Sequence, residues 1–165
     1  MKGSIHVEIK KCLSCHSCEL ACALEHSESK ELAQSVCEDP TPVSRVHVED
    51  VEGTGVPVQC RHCEDAPCVS VCPREAIEKL GPGQAVVIDE EKCTGCKFCV
   101  AVCPFGVVAL REDDKVAVKC DLCPRRVKEG SQPACVSACP SGALCFGTAE
   151  QLQETQSDQT QEEQT

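Results

Sequence analysis

CTGCKFCVAVCP, residues 93–104, spaces its four cysteines by two, two and three intervening residues and closes on Pro104. The same outline recurs three more times in the 165 residues. CLSCHSCELAC carries Cys12, Cys15, Cys18 and Cys22, and CRHCEDAPCVSVCP carries Cys60, Cys63, Cys68 and Cys72 before Pro73. CDLCPRRVKEGSQPACVSACP carries Cys120, Cys123, Cys135 and Cys139 before Pro140. Every group begins C-x-x-C and ends C-x-x-x-C. Only the gap between those halves changes: two residues in the first and third groups, four in the second, eleven in the fourth. An insertion at one fixed place in a repeated unit marks a surface loop. Sixteen of the eighteen cysteines belong to the repeat; Cys37 and Cys145 stand outside it and read as free structural thiols.

The run C-x-x-C-x-x-C-x-x-x-C-P is a specific signal for a [4Fe–4S] cluster, and its spacing has a physical reason. Turns of two intervening residues wrap the backbone around one corner of a cubane, directing thiolates and amide N–H groups toward it. Gly95 permits the close approach. The small trio before each last cysteine (ELA, VSV, VAV, VSA) predicts a single helical turn that carries that cysteine away. The following proline ends the turn because it has no N–H to donate. The fourth cysteine of such a run generally ligates the other cluster of a pair. Four groups therefore predict four [4Fe–4S] clusters in two pairs, and sixteen cysteines match sixteen iron ligands.

Zinc is the main rival for any single group. The fourth group alone nearly matches two C-x-x-C pairs with a long spacer. Its second pair, however, has three intervening residues and a following proline, and the other groups are too compact for a zinc ribbon. Disulfides are the other rival, and compartment weighs against them. MKGSIHVEIKKC has no apolar stretch long enough for a signal peptide and no twin arginine, and no window approaches a membrane span. The expected location is cytoplasmic, where thiols stay reduced and dense cysteine points to metal. A complex exported by a partner's signal would have the same sequence.

Composition agrees with a metal-stapled fold. Trp and Tyr are absent, and Phe98, Phe105 and Phe146 are the only aromatic residues, so a conventional core would be thin and would need staples. The net charge of −11 argues against nucleic acid. Residues 150–165 hold five acids and no base, and the rest of the chain carries −6. This Gln/Glu/Thr-rich tail reads as disordered after a short helical start.

Alternating segments between the groups predict strands at Ile5–Ile9, Arg45–Val51, Ala85–Ile88, Val107–Arg111 and Val116–Lys119, the last two as a hairpin across Glu112–Asp114. Cys22–Glu31 predicts a helix leading to a loop at Cys37–Pro42. The fold class is α+β: small, duplicated bacterial ferredoxin-like units, each of two [4Fe–4S] clusters and stapled by them.

At this level the chain resembles the four-cluster, ferredoxin-like electron-transfer subunits that accompany formate dehydrogenases and formate-linked hydrogenases. The same kind of subunit serves carbon monoxide dehydrogenases, tungsten aldehyde oxidoreductases and relatives of dimethyl-sulfoxide reductase. The resemblance runs from about Ile5 to Phe146. It rests on the cysteines and histidine of Cys12–His26, HCEDAPCVSVCP at His62–Pro73, CTGCKFCVAVCPFG at Cys93–Gly106, and KCDLC with PACVSACPSGAL at Lys119–Leu144.

The resemblance implies ligand sets that cross between groups. Cys12, Cys15 and Cys18 would be completed by Cys139; Cys60, Cys63 and Cys68 by Cys103; Cys93, Cys96 and Cys99 by Cys72; and Cys120, Cys123 and Cys135 by Cys22. Residues 1–59 and 107–149 would form one outer half, residues 60–106 a nested half, with 150–165 as the tail. Some relatives carry tryptophan where this chain has Cys96 and lose an iron there, so four full cubanes are expected. The first group departs from the pattern, with Ala23 where the others have proline.

No nucleophile–base pair, phosphate-binding loop or open coordination site stands out, and cysteine-ligated cubanes transfer single electrons without substrate chemistry. The expected function is an electron relay with no catalytic site of its own. It would pass electrons between a catalytic oxidoreductase subunit and a further donor or acceptor, possible partners being a molybdenum or tungsten enzyme, hydrogenase or CO dehydrogenase. Higher-order assembly is compatible with this. A freely diffusing polyferredoxin or a filament-forming wire is the alternative, and a non-redox metal-binding or maturation factor a third. Arg125, Arg126 and Lys128 form the most basic patch and are candidates for partner docking, against the plainer reading of a solvated loop. His16 and His62 read as partly exposed packing residues rather than as groups that tune a potential, and Lys11, Lys92 and Lys119 either offset cluster charge or are solvated.

Overall fold

Ser4–Val7 (β1) pairs antiparallel with Leu144–Gly147 (β8), setting Ile5 opposite Phe146 and Val7 opposite Leu144. The start of the chain is thereby fastened to its end. The computed structural model in which this pairing is seen describes residues 3–113, 115–148 and 151. The predicted strand Ile5–Ile9 stops at Val7, because Ile9–Lys11 form a 3-10 turn that feeds Cys12.

Three more two-stranded antiparallel ladders follow: Val46–Val51 (β2) with Thr54–Gln59 (β3), Ile77–Lys79 (β4) with Val86–Ile88 (β5), and Ala109–Leu110 (β6) with Ala117–Val118 (β7). The β2–β3 turn is Glu52-Gly53, both at positive φ (53° and 80°), as a two-residue hairpin with native strand twist requires. The sequence pattern misses β3 because Pro57 argues against a strand. In a two-stranded ribbon, though, every strand is an edge, and Pro57 sits opposite Val48 without interrupting a neighbour. β4 is missed because its Ile77-Glu78-Lys79 has a single apolar residue and so no apolar alternation. The hairpin expected at residues 107–119 is present but reduced to two paired residues in each strand. Its predicted acidic link falls partly outside the described residues, as does the predicted tail apart from Gln151.

The helical turns expected before each last cysteine are Ser17–Glu25 (α1), Pro67–Ser70 (α3), Phe98–Val102 (α4) and Ala134–Ser137 (α6). After Pro73, Pro104 and Pro140 the chain makes the same tight turn three times. Glu75, Gly106 and Gly142 take positive φ, and their amides return to the carbonyls of Cys72, Cys103 and Cys139 at 3.2, 3.2 and 3.4 Å. Ala23 lets α1 run on to nine residues instead. The helix expected at Cys22–Glu31 is therefore displaced: it begins at Ser17 and ends at Glu25, followed by His26 at its C-terminal cap, whose Nδ1 donates to the Cys22 carbonyl at 2.7 Å. A short helix at Leu32–Ser35 (α2) precedes the predicted loop. The insertion of the fourth group is helical too, at Pro124–Lys128 (α5), with Pro124 in the first turn where its missing N–H costs nothing.

Cysteines do the work that large side chains do elsewhere. Cys18, Cys22, Cys120 and Cys135 are buried with Ile5, Val46, Ala85, Leu122 and Leu144 in one apolar cluster. Cys99 is buried with Ala66, Ile77, Val86, Val108 and Ala117 in a second, flanked by Cys63, Cys68, Cys72, Cys93 and Cys103. Phe98 and Phe105 are exposed. Among the described residues no helix is long and apolar enough to cross a membrane.

Candidate metal centres

One backbone feature recurs in all four groups. The residue before the second cysteine has positive φ: Ser14 (51°), His62 (49°), Gly95 (63°) and Leu122 (66°). Three of these are not glycine, so local preference does not explain them. A left-handed residue within such a turn gathers successive amides into an anion-binding concavity of the kind found at iron–sulfur sites. Other amides reach sulfur directly. The N–H groups of Arg45, His62, Ala76 and Ala117 donate to Cys22, Cys60, Cys72 and Cys93 Sγ at 3.2–3.4 Å.

Two small cavities show how the groups meet. Cys93, Cys96 and Cys99 line the first together with Cys72. Cys60, Cys63 and Cys68 line the second together with Cys103. Each thus takes three cysteines from one group and the last cysteine of another, with α3 packed against α4 between them. In the other two groups, α1 packs against α6. Electrostatic interaction links Cys139 to Cys15 and Cys18, and Cys22 to Cys120, Cys123 and Cys135; Cys135 also senses Cys18. Cys15 and Cys96 are exposed, as is Cys37, and Cys145 Sγ donates to the Gly142 carbonyl at 3.5 Å.

Burial sets the acid–base state of these thiols. It pushes Cys18 and Cys123 up to about 11, Cys135 up to about 12, and Cys120 well above the ordinary range. A metal cation binding there must displace protons, and in return it neutralises the buried thiolates. Clustered sulfur donors, amides aimed at sulfur and crossed cysteine cavities all fit cubane iron–sulfur groups.

Asp121, inside the fourth C-x-x-C, organises that turn. Its Oδ1 accepts from the Cys123 amide at 2.9 Å, its Oδ2 from Arg45 Nη1 at 2.9 Å, and His26 Nε2 lies 3.2 Å from Oδ1. Burial opposes its ionisation, but the bond to His26 and the Arg45 charge outweigh burial and hold the carboxyl well below the carboxylate range. Burial likewise opposes protonation of His26, and the bonds to Asp121 and Cys22 raise it to about 9. His26, Asp121 and Cys123 offer ligand atoms within 4.8 Å of one another, but this carboxylate is already committed to the network. The sequence shows His26 in a motif without indicating its role, and nothing in it points to Arg45.

His62 is buried rather than partly exposed. The Val86 amide donates to its Nδ1 at 3.0 Å, and Nε2 has no partner among the described residues. Burial, and then the charge of Lys119, lower its pKa to about 4. His16 is exposed and pairs with Glu19 at 2.8 Å. Lys92 is an exposed partner of Asp89, whereas Lys119 is 3% exposed. The basic patch is partly engaged within the chain, since Arg125 and Arg126 reach the Glu25 carboxylate at 3.1 and 3.4 Å.

Residues 51–149 match the family described as the 4Fe-4S dicluster domain. The chain belongs to that family. Its relatives include an "Iron-sulfur protein" of Rhodospirillum rubrum, 43% identical over 152 residues that cover 85% of this chain and 79% of the relative. "Electron transport protein HydN" of Escherichia coli (strain K12) is 37% identical over 159 residues, 87% of each chain. "Thiosulfate reductase electron transfer subunit PhsB" of Salmonella typhi is 41% identical over 143 residues, 84% of this chain and 71% of that one. As a 4Fe-4S dicluster member, the chain has a cysteine complement that fits four [4Fe–4S] clusters.

Proposed function

We propose that this chain is an electron-relay subunit with four [4Fe–4S] clusters, bound to a catalytic oxidoreductase subunit and passing single electrons to or from another carrier. The observation that carries the reading is the pair of crossed cavities, Cys72 with Cys93, Cys96 and Cys99, and Cys103 with Cys60, Cys63 and Cys68. Completing a set with a cysteine from the next group holds two centres close together. The same crossing applied to the outer groups gives Cys12, Cys15, Cys18 with Cys139, and Cys120, Cys123, Cys135 with Cys22. The α1–α6 packing and the β1–β8 ladder support it. Residues 1–59 with 107–149 then make one ferredoxin-like half, and residues 60–106 the other.

Bound cubanes supply one-electron redox chemistry. The chain's own part is to bury the thiolates, aim amides at sulfur and leave the edges at Cys15 and Cys96 near solvent for exchange with partners. Relatives named as electron transport proteins, and as the electron transfer subunit of a reductase, support a catalytic partner; the molybdenum, tungsten, hydrogenase or CO dehydrogenase type is what the sequence resemblance implies for it. The setting we take for it is the cytoplasm, where thiols stay reduced.

Anaerobic purification from native cells tests the reading. The expected result is brown protein with about sixteen irons, four for each cubane, bound to a larger subunit and showing reversible one-electron transitions. A colourless monomer without transitions would sink it. A brown monomer would favour a diffusing carrier, and very large assemblies a filament.

A further inference from the structure

Lys119 is the one buried lysine or arginine among the described residues. It lines the cavity of Cys60, Cys63, Cys68 and Cys103, and its Nζ donates to the backbone carbonyls of Val86 and Cys120. It therefore lies where strand β5 and the fourth cysteine group meet. Among the described residues no carboxylate is within ion-pair distance of it. Neighbouring Asp121 is committed to Arg45 and His26. Two neutral carbonyls orient a buried ammonium but do not compensate its charge, and an uncompensated buried charge is costly. His62 adds no charge of its own here, because its Nδ1 accepts from the Val86 amide and its ring is neutral.

The sulfur side of the cavity has the opposite need. A cubane with four thiolate ligands is anionic and becomes more so on one-electron reduction, and inside a protein a nearby fixed charge is weakly screened. Resting on the relay reading above, we propose that Lys119 is the internal countercharge for the cluster held by Cys60, Cys63, Cys68 and Cys103 and raises that cluster's reduction potential. The lysine thus sets a step in potential where the nested cysteine groups meet the fourth group. Lys79 takes no such part: its Nζ reaches the His62 and Cys63 carbonyls, but it is neutralised by Glu64 at 3.0 Å.

The test uses the full, iron-loaded chain as wild type, K119Q and K119R, titrated potentiometrically with electron paramagnetic resonance detection. The signal of the cluster in question is assigned by its loss in C103S. In K119Q the equilibrium constant for reducing that cluster is expected to fall about tenfold, a downward shift of ~59 mV for a one-electron couple. The other three clusters should stay put, K119R should stay near wild type, and iron content should be unchanged. Four unmoved potentials, a shift confined to another cluster, an equal shift in K119R, or loss of iron in K119Q would each overturn the proposal. If wild type shows no cluster transitions, the relay reading itself fails.

Discussion

His26 Nε2 lies 3.2 Å from Asp121 Oδ1 across 95 positions of sequence, tying the end of helix α1 to the first turn of the fourth cysteine group. Arg45 closes the network on the other carboxylate oxygen at 2.9 Å and extends it to Glu90 at 3.1 Å. The same Arg45 donates its backbone N–H to Cys22 Sγ. One part-buried carboxylate thereby fixes the Cys120–Cys123 turn and, through Arg45, the position of Cys22. D121N keeps the shape of the side chain but leaves His26 without its carboxylate and Arg45 with only the exposed Glu90. The pair is part-buried, so losing it from one side costs more than the ~1 kcal/mol of an exposed pair and less than the about 3–5 kcal/mol of a fully buried one. The urea midpoint of the iron-loaded protein, measured anaerobically, should fall accordingly, and a change below about 1 kcal/mol, the scale of an exposed pair, would mean the network is not a tie.

The same pair sets a pH window. With its pKa raised to about 9 in the folded chain, His26 contributes stability that is fully present below its ordinary 6.5 and is lost as pH rises through about 9. Asp121, depressed, contributes above its ordinary value of 3.8 and loses that contribution only as pH falls. Urea midpoints taken from pH 6 to pH 10 should therefore decline in wild type and decline less in H26Q. Equal slopes in the two proteins would remove His26 as the cause.

Ligand crossing has a signature in double variants. If Cys103 completes the set of Cys60, C103S and C60S each remove the same cluster, and the pair together should cost no more iron than either alone, about four atoms. C103S with C93S should cost about eight, because the two residues serve separate clusters. Iron and sulfide assays on anaerobically loaded protein decide it, and additive loss for C103S with C60S would refute this crossing.

Much of this arrangement is legible in the sequence because cysteine spacing and proline act locally. The four helical turns follow from the small residues before Cys22, Cys72, Cys103 and Cys139, and the repeated turn at Glu75, Gly106 and Gly142 follows each Cys-Pro. The length of α1 follows from Ala23, whose significance for the helix shows only when the three proline-stopped groups are compared with it. What the sequence conceals is long-range. Lys11, Lys92 and Lys119 look alike as lysines preceding a cysteine, yet only Lys119 is enclosed, and that depends on the carbonyl of Val86 from another ladder. Arg45 has no motif at all, and β3 is masked by a proline that its two-stranded setting tolerates.

Gly55 shows how close the ladder β2–β3 comes to the first cysteine group. A Cβ built there would collide with Ser14 Oγ and come within 3.2 Å of Cys12 Sγ and Ser14 Cβ. Ser14 itself is held at φ 51°, so its turn has little freedom to retreat. G55A should therefore displace the Cys12–Cys15 turn and lower the retention of the cluster assigned to Cys12, Cys15, Cys18 and Cys139, leaving the other three. S14G removes both the obstructing side chain and the left-handed strain. Alone it should be neutral, or stabilising by up to ~1 kcal/mol, and combined with G55A it should restore the lost irons. Iron retention during anaerobic dialysis against a chelator reads all four proteins. G55A holding its iron like wild type, or a defect that S14G fails to relieve, would show that this close approach does not constrain the first group.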